Sequence, residues 1–171
     1  MSTTTTTTTP IPALAVIKTS LFQKVNGAFK ETFYTDASDN GQTKNQLFAQ
    51  ALDFGTLAPG ETSETLAIAL NIPYVKAINN IKLGLISIGN LMFTTSTFGM
   101  TSSVELRDDI IPSTYFQGLS TTELDIDPNN ISIPNRDNVH SSYVYLNIKL
   151  PLNQPLGRGL ISLKWWFNYA S

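Results

Sequence analysis

Apolar and polar residues alternate with a period of two along much of this chain. In Ser142 to Leu150, Val144, Leu146, Ile148 and Leu150 interleave with Tyr143, Tyr145, Asn147 and Lys149. Successive side chains of a strand point to opposite faces, so this run predicts a strand with one face in a core. After the Pro- and Gly-bearing stretch from Pro151 to Gly159, the last run puts Ile161, Leu163, Trp165, Phe167 and Tyr169 on one face. Leu160, Ser162, Lys164, Trp166 and Asn168 take the other. The two runs predict a C-terminal hairpin. Trp165 and Phe167 face the core, while Trp166, Tyr143 and Tyr145 point outward.

A second pair of runs brackets Ala58-Pro59-Gly60-Glu61. Pro sets φ at the second position of a turn and Gly supplies positive φ at the third, which is a type II signature. The strand entering it carries Phe48, Gln50, Leu52 and Phe54 on one face. The strand leaving it carries Leu66, Ile68 and Leu70 on one face, with Thr65, Ala67, Ala69 and Asn71 opposite. The pattern predicts two antiparallel strands meeting at a hairpin or at a corner between two sheets.

Ala13 to Lys18 and Ala28 to Thr35 read as further strands, and Asp36 to Gly41 as a polar turn. Around the run from Ile81 to Asn90, Val75, Ile78, Ile81, Leu85, Ile88 and Met92 approximate a helical stripe. Gly84, Gly89 and the β-branched content favour a strand buried on both faces. Leu91 to Thr94 and Ser102 to Leu106 read as short strands on either side of Phe98-Gly99. Residues 107–138, with Pro112, Pro128 and Pro134, read as a loop-rich insertion. The fold class expected is all-β, an antiparallel sandwich or barrel of about seven to nine strands. Residues 1–12 form an extended arm, and residues 13–171 form one domain.

Composition narrows the function classes. Charged residues make up 14% of the chain, well under the usual quarter or so. Its 21 Thr and 14 Asn supply the polar surface instead. The eight Lys and three Arg are scattered, so no electrostatic footprint for nucleic acid is present. No apolar run reaches the roughly 18 residues of a membrane helix, and the first residues lack the charged-then-apolar order of a signal peptide. With no Cys, disulfides and thiolate chemistry are excluded. Thr3 to Thr9 are consecutive β-branched residues that favour extended backbone. Thr3, Thr5, Thr7 and Thr9 are therefore interface candidates for an arm that docks on a neighbouring subunit.

Candidate chemistry is sparse. His140 is the one histidine. Its sequence neighbours Ser141 and Ser142 do not form a nucleophile elbow, so no triad is indicated. Asp36 and Asp39 before Gly41, and Asp125 and Asp127 before Asn129, offer oxygen ligands for Ca²⁺. Neither fits the twelve-residue loop of an EF-hand, and turns use the same residues structurally. No glycine pattern of a nucleotide site occurs. The expectation is a non-enzymatic protein with no cofactor.

Two segments resemble Ig-like β-sandwich domains of bacteria and their phages. Phe54-Gly55-Thr56-Leu57-Ala58-Pro59-Gly60 is similar to the FG-x-V-x-x-G corner of such modules. Val144 to Pro151, followed by Gly157, is similar to their closing hairpin. The Cys–Trp–Cys framework of antibody domains is absent. The Thr- and Asn-rich, Cys-free chain with its low-complexity head also resembles auxiliary capsid, decoration or head-fibre proteins of tailed phages. That resemblance implies a virion location, self-association and contacts with other virion proteins, with no nucleic acid or membrane partner. The alternative is a carbohydrate-binding module or adhesin that stacks Trp166 on a glycan.

Overall fold

In the computed structural model, the described residues are 18–33, 45–72, 78–86, 97–117, 124–127, 139–153 and 157–169. They form eleven strands and no helix. These are β1 (Lys18–Val25), β2 (Ala28–Phe33), β3 (Asn45–Leu57), β4 (Leu66–Ile72), β5 (Ile78–Ile86) and β6 (Thr97–Ser103). Then follow β7 (Thr114–Gln117), β8 (Leu124–Asp127), β9 (Val139–His140), β10 (Tyr143–Lys149) and β11 (Gly157–Tyr169). One sheet has the order β2-β1-β4-β10-β6-β7, with β9 also on β4, and the other β3-β11-β5-β8. Every pairing is antiparallel.

The inner faces of both sheets meet in one core. Leu21, Leu66, Ile68, Leu70, Phe98, Met100, Val144, Leu146 and Ile148 come from the seven-stranded sheet. Leu52, Phe54, Leu57, Ile81, Leu83, Trp165 and Phe167 come from the four-stranded one. The alternation in β4 and β10 therefore assigns the core face correctly, as it does for Trp165 and Phe167 in β11.

The Ala58–Glu61 turn forms as the sequence predicts. Glu61 N donates to Ala58 O at 3.0 Å, and Gly60 has φ 81°. Ala58 N in turn donates to the Glu61 carboxylate at 2.8 Å. Of the two alternatives, the corner is the one adopted: β3 belongs to one sheet and β4 to the other.

The C-terminal pair is a correction. β10 and β11 do not form a hairpin; β10 pairs with β4 and β6, and β11 with β3 and β5. The chain crosses between sheets here too, beside the first corner. Leu150 N donates to Glu61 O at 2.9 Å and Ser63 N to Ile148 O at 2.8 Å. Ile148 N donates to Ser63 Oγ at 2.9 Å. The corners satisfy each other's backbone groups, which a buried crossing would otherwise leave unpaired. Gly60→Ala is expected to cost about 1–2 kcal/mol, the price of left-handed backbone for an L-residue. Leu152, whose Cδ2 lies 2.7 Å from where the new methyl would sit, is 81% exposed and free to swing aside. Urea denaturation checks this.

Other elements depart from the sequence pattern. Phe98-Gly99 lies inside β6 and does not separate two strands. In β3, Ile161 opposes Leu52 but Leu163 opposes Ala49, and Arg158 opposes Thr56 but Leu160 opposes Asp53. Each step inserts one extra β3 residue, a bulge, and Leu52 and Phe54 both face the core as expected. β7 and β8 fall within the stretch expected to be loop-rich. The expected strand at Ala13–Lys18 lies outside the described residues except for Lys18, where β1 begins. β1 turns into β2 through Asn26 (φ 55°) and Gly27 (φ 84°), the positive-φ pair of a two-residue hairpin.

Candidate functional site

The outer face of the seven-stranded sheet is the distinctive part of the molecule. Phe22, Ala67, Ala69 and Tyr145 lie on it, pointing away from the main core, yet all are buried. The β6–β7 connection, residues 104–113, covers them. Leu106 and Ile110 from this strap pack on that cluster, together with Phe29 and Tyr143. The alanines leave room for a second chain layer close to the sheet.

Hydrogen bonds to strands other than β6 hold the strap down. Arg107 N donates to the Tyr145 hydroxyl at 2.7 Å, and that hydroxyl donates to Glu105 O at 3.2 Å. At the far side, Phe29 N donates to Asp108 Oδ1 at 2.8 Å. The strap thus spans from β6 across to β2. Arg107 and Asp109 pair at 2.6 Å with both side chains more than half exposed. Their hydrogen bond raises the Arg107 pKa and lowers that of Asp109, but an exposed pair adds little stability.

Burial raises the Tyr145 and Tyr143 phenols above their ordinary pKa of 10.0, and the nearby Glu31 charge adds to this for Tyr143. A raised folded-state pKa keeps its full stabilisation below the unfolded value. Above about pH 10, the unfolded chain's phenols ionise first and stability falls as pH rises through the folded pKa. Tyr145→Phe is expected to flatten this alkaline slope. It also removes both backbone partners of the strap, costing about 1–3 kcal/mol. Limited proteolysis in 104–113 and unfolding at pH 7 and above 10 test it.

At the other end of this face sits a polar cluster. Register sets Phe22 opposite Glu31 across the β1–β2 hairpin and His140 opposite Asn71 across β9 and β4. The buried Ser20 Oγ donates to Glu31 Oε1 at 2.6 Å. His140 Nε2 lies 3.0 Å from the same Glu31 oxygen and 3.4 Å from Ser20 Oγ. The His140 ring packs edge-on to Phe22 at 5.5 Å and near Tyr143 at 5.7 Å. A catalytic relay needs the carboxylate on one ring nitrogen and the hydroxyl on the other. Here both approach Nε2, and the serine proton is directed to Glu31. The cluster ties the β2 edge to β9.

A further groove of about 380 Å³ opens where β1, β3 and β4 meet, bordered by Lys24, Asp53 and Glu64. Its mixed charges select no ligand class. Asp53 Oδ1 accepts the Gly55 N–H at 2.9 Å, and Lys24 Nζ lies over the Phe29 ring at 5.3 Å.

The residues singled out from the sequence are placed as follows. Tyr145 is a correction: it is on the outward face as expected, but the strap leaves it 0% exposed, so it offers no contact to a partner. Tyr143 is half-buried against Phe22, with ring centroids 5.3 Å apart. Trp166 is half-buried, in register with Lys82 on one side and Gln46 on the other. Asp125 and Asp127 stand in strand β8, opposite Lys82 and Ile81, and not in the turn that a Ca²⁺ loop requires. Asp36, Asp39, Thr3, Thr5, Thr7 and Thr9 lie outside the described residues. Among the described residues, no three His, Asp or Glu side chains gather as a metal site, and no helix is long and apolar enough to cross a membrane.

No known protein family, curated protein or solved structure matches this chain.

Sequence reading missed the Ser20–Glu31–His140 cluster and the strap. Asn26-Gly27 was the available signal for the β1–β2 hairpin that sets Glu31 beside Ser20. Nothing local marks the pairing of His140 with a strand nearly seventy residues earlier (about 69 from the register with Asn71).

Proposed function

We propose that this protein is a non-enzymatic structural subunit with an Ig-like sandwich body. It serves as a capsid-associated protein of a phage virion, of the auxiliary or decoration type. It acts through contacts between subunits and through docking of its Thr-rich arm. The observation that carries this reading is where apolar surface remains outside. Among the described residues five large apolar side chains are exposed, and three of them, Val104, Ile111 and Tyr115 at 82%, 68% and 44%, belong to the β6–β7 hairpin, with Val25 and Leu152 standing singly elsewhere. Exposed apolar residues gathered on one element mark an interaction surface, whereas scattered ones are ordinary. The low charge and the Thr- and Asn-rich surface support the same role, because dense arrays bring subunit surfaces together with little like-charge repulsion. Many weak contacts then add up to firm attachment.

The test is association with particles. An antibody against the purified chain should follow the particle peak when lysate carrying the encoding genome is banded on a density gradient. Removal of residues 2–12 should weaken rebinding to particles that lack the protein. A stable monomer that neither self-associates nor binds such particles would sink this reading.

A further inference from the structure

Among the described residues, the four edge strands of the two sheets are not alike. β2 carries Lys30 and Glu31, and Glu31 is already engaged by Ser20 and His140. β3, the edge of the four-stranded sheet, contains both bulges described above. β8 carries Asp125 and Asp127. Charges and bulges are the devices that keep an edge from pairing with another chain. β7, Thr114-Tyr115-Phe116-Gln117, has neither: it is uncharged, and its register with β6 is unbroken. Among the described residues, β6 is its only pairing partner.

We propose that the β7 edge is a two-fold contact between copies of this chain, in which two β7 strands pair antiparallel and join two seven-stranded sheets. This rests on the reading of the protein as an assembly subunit and names its contact. An antiparallel strand is self-complementary about a two-fold axis, since its outward N–H and C=O groups meet the same groups of its copy. The absence of charge on β7 means that self-pairing opposes no like charges. At β8 the same operation would set Asp125 against Asp127 or each against itself. Four residues of edge are too few for a stable interface alone. The exposed side chains of Val104, Ile111 and Tyr115, on the same hairpin, supply the apolar area that the contact buries. Pro112 and the Tyr115 ring both lie against Gly99 of β6, which fastens the hairpin to the strand behind it.

Sedimentation velocity across a concentration series tests the proposal on the full chain. A dimer is expected, and Ile111→Lys with Tyr115→Lys should raise its Kd by about tenfold or more, because two-fold symmetry sets the new charges close to one another. Val25→Lys and Leu152→Lys, at exposed apolar positions off this hairpin, should change it by no more than about twofold. Hydrogen exchange on the unmodified protein gives a readout independent of any variant's folding. Amides of 114–117 should slow with rising concentration, and those of β2 should not. A chain that stays monomeric, a dimer indifferent to the hairpin lysines, or protection that builds up elsewhere overturns the contact. Loss of the dimer on removing residues 2–12, with the hairpin lysines silent, overturns it in favour of the arm. A monomer that still bands with particles overturns the contact and leaves the assembly-subunit reading intact.

Discussion

Trp165→Ala is expected to destabilise the protein by about 3–5 kcal/mol, the range for deleting a large buried aromatic side chain. Trp165 is fully buried near the centre of the four-stranded sheet, between β3 and β5. It belongs to the cluster that joins both sheets, so its removal opens a cavity at their shared interface. Trp165→Phe should cost markedly less. Among the described residues the buried indole Nε1 has no hydrogen-bond partner, and an unpaired buried donor is itself unfavourable by about 1–3 kcal/mol. Phe removes that donor along with some volume, so the two effects oppose each other. Chemical denaturation of both variants separates them. If Trp165→Phe is as damaging as Trp165→Ala, the buried indole N–H carries no such penalty.

The second large effect is at Gly99. A methyl group there would run into the Asn147 amide oxygen, would sit 2.7 Å from Pro112 Cβ and would sit 3.0 Å from Tyr115 Cε1. These neighbours are a cross-strand partner from β10, a residue of the strap and a residue of β7, so no single adjustment relieves all three contacts. Asn147 is buried, which leaves its amide little room to turn. Gly99→Ala is expected to cost about 1–3 kcal/mol from overpacking, and Gly99→Val more. Gly99 pairs with both Asn147 and Tyr115. The damage should therefore concentrate at the β7 edge and raise amide exchange in 114–117 before the rest of the sheet. Uniform loss of protection would argue against this local account.

The outer face explains how far the Gly99 effect reaches. Tyr145, Phe22 and the two alanines are covered by a loop that must leave β6, cross the sheet and return as β7. Any change that displaces the base of that hairpin disturbs the strap, the second core and the proposed contact together. The Ser20–Glu31–His140 cluster, held by β1, β2 and β9, shares Phe22 and Tyr143 with the strap: the His140 ring packs on both, and Leu106 and Ile110 pack in the same apolar group. Mutations in the two places are therefore expected to couple through these shared rings.

The sequence alone determined the local elements whose cause is local. Period-two alternation in β4 and β10 placed Leu66, Ile68, Leu70, Val144, Leu146 and Ile148 in the core, because side chains of a strand must alternate. Pro59-Gly60 set a type II turn, because only those residues adopt its dihedral angles at no cost. Tertiary structure decided which strands became neighbours. The turn after Lys149 reads as a hairpin loop, yet β10 and β11 enter different sheets. Their partners β4 and β3 already meet at the other corner, and the two crossings bond to each other. It decided exposure as well: Tyr145 points outward by periodicity and is buried because a loop from another strand lies over it. Local pattern carries the direction of a side chain. Whether water reaches it depends on contacts between segments far apart in the chain, which no window of sequence contains.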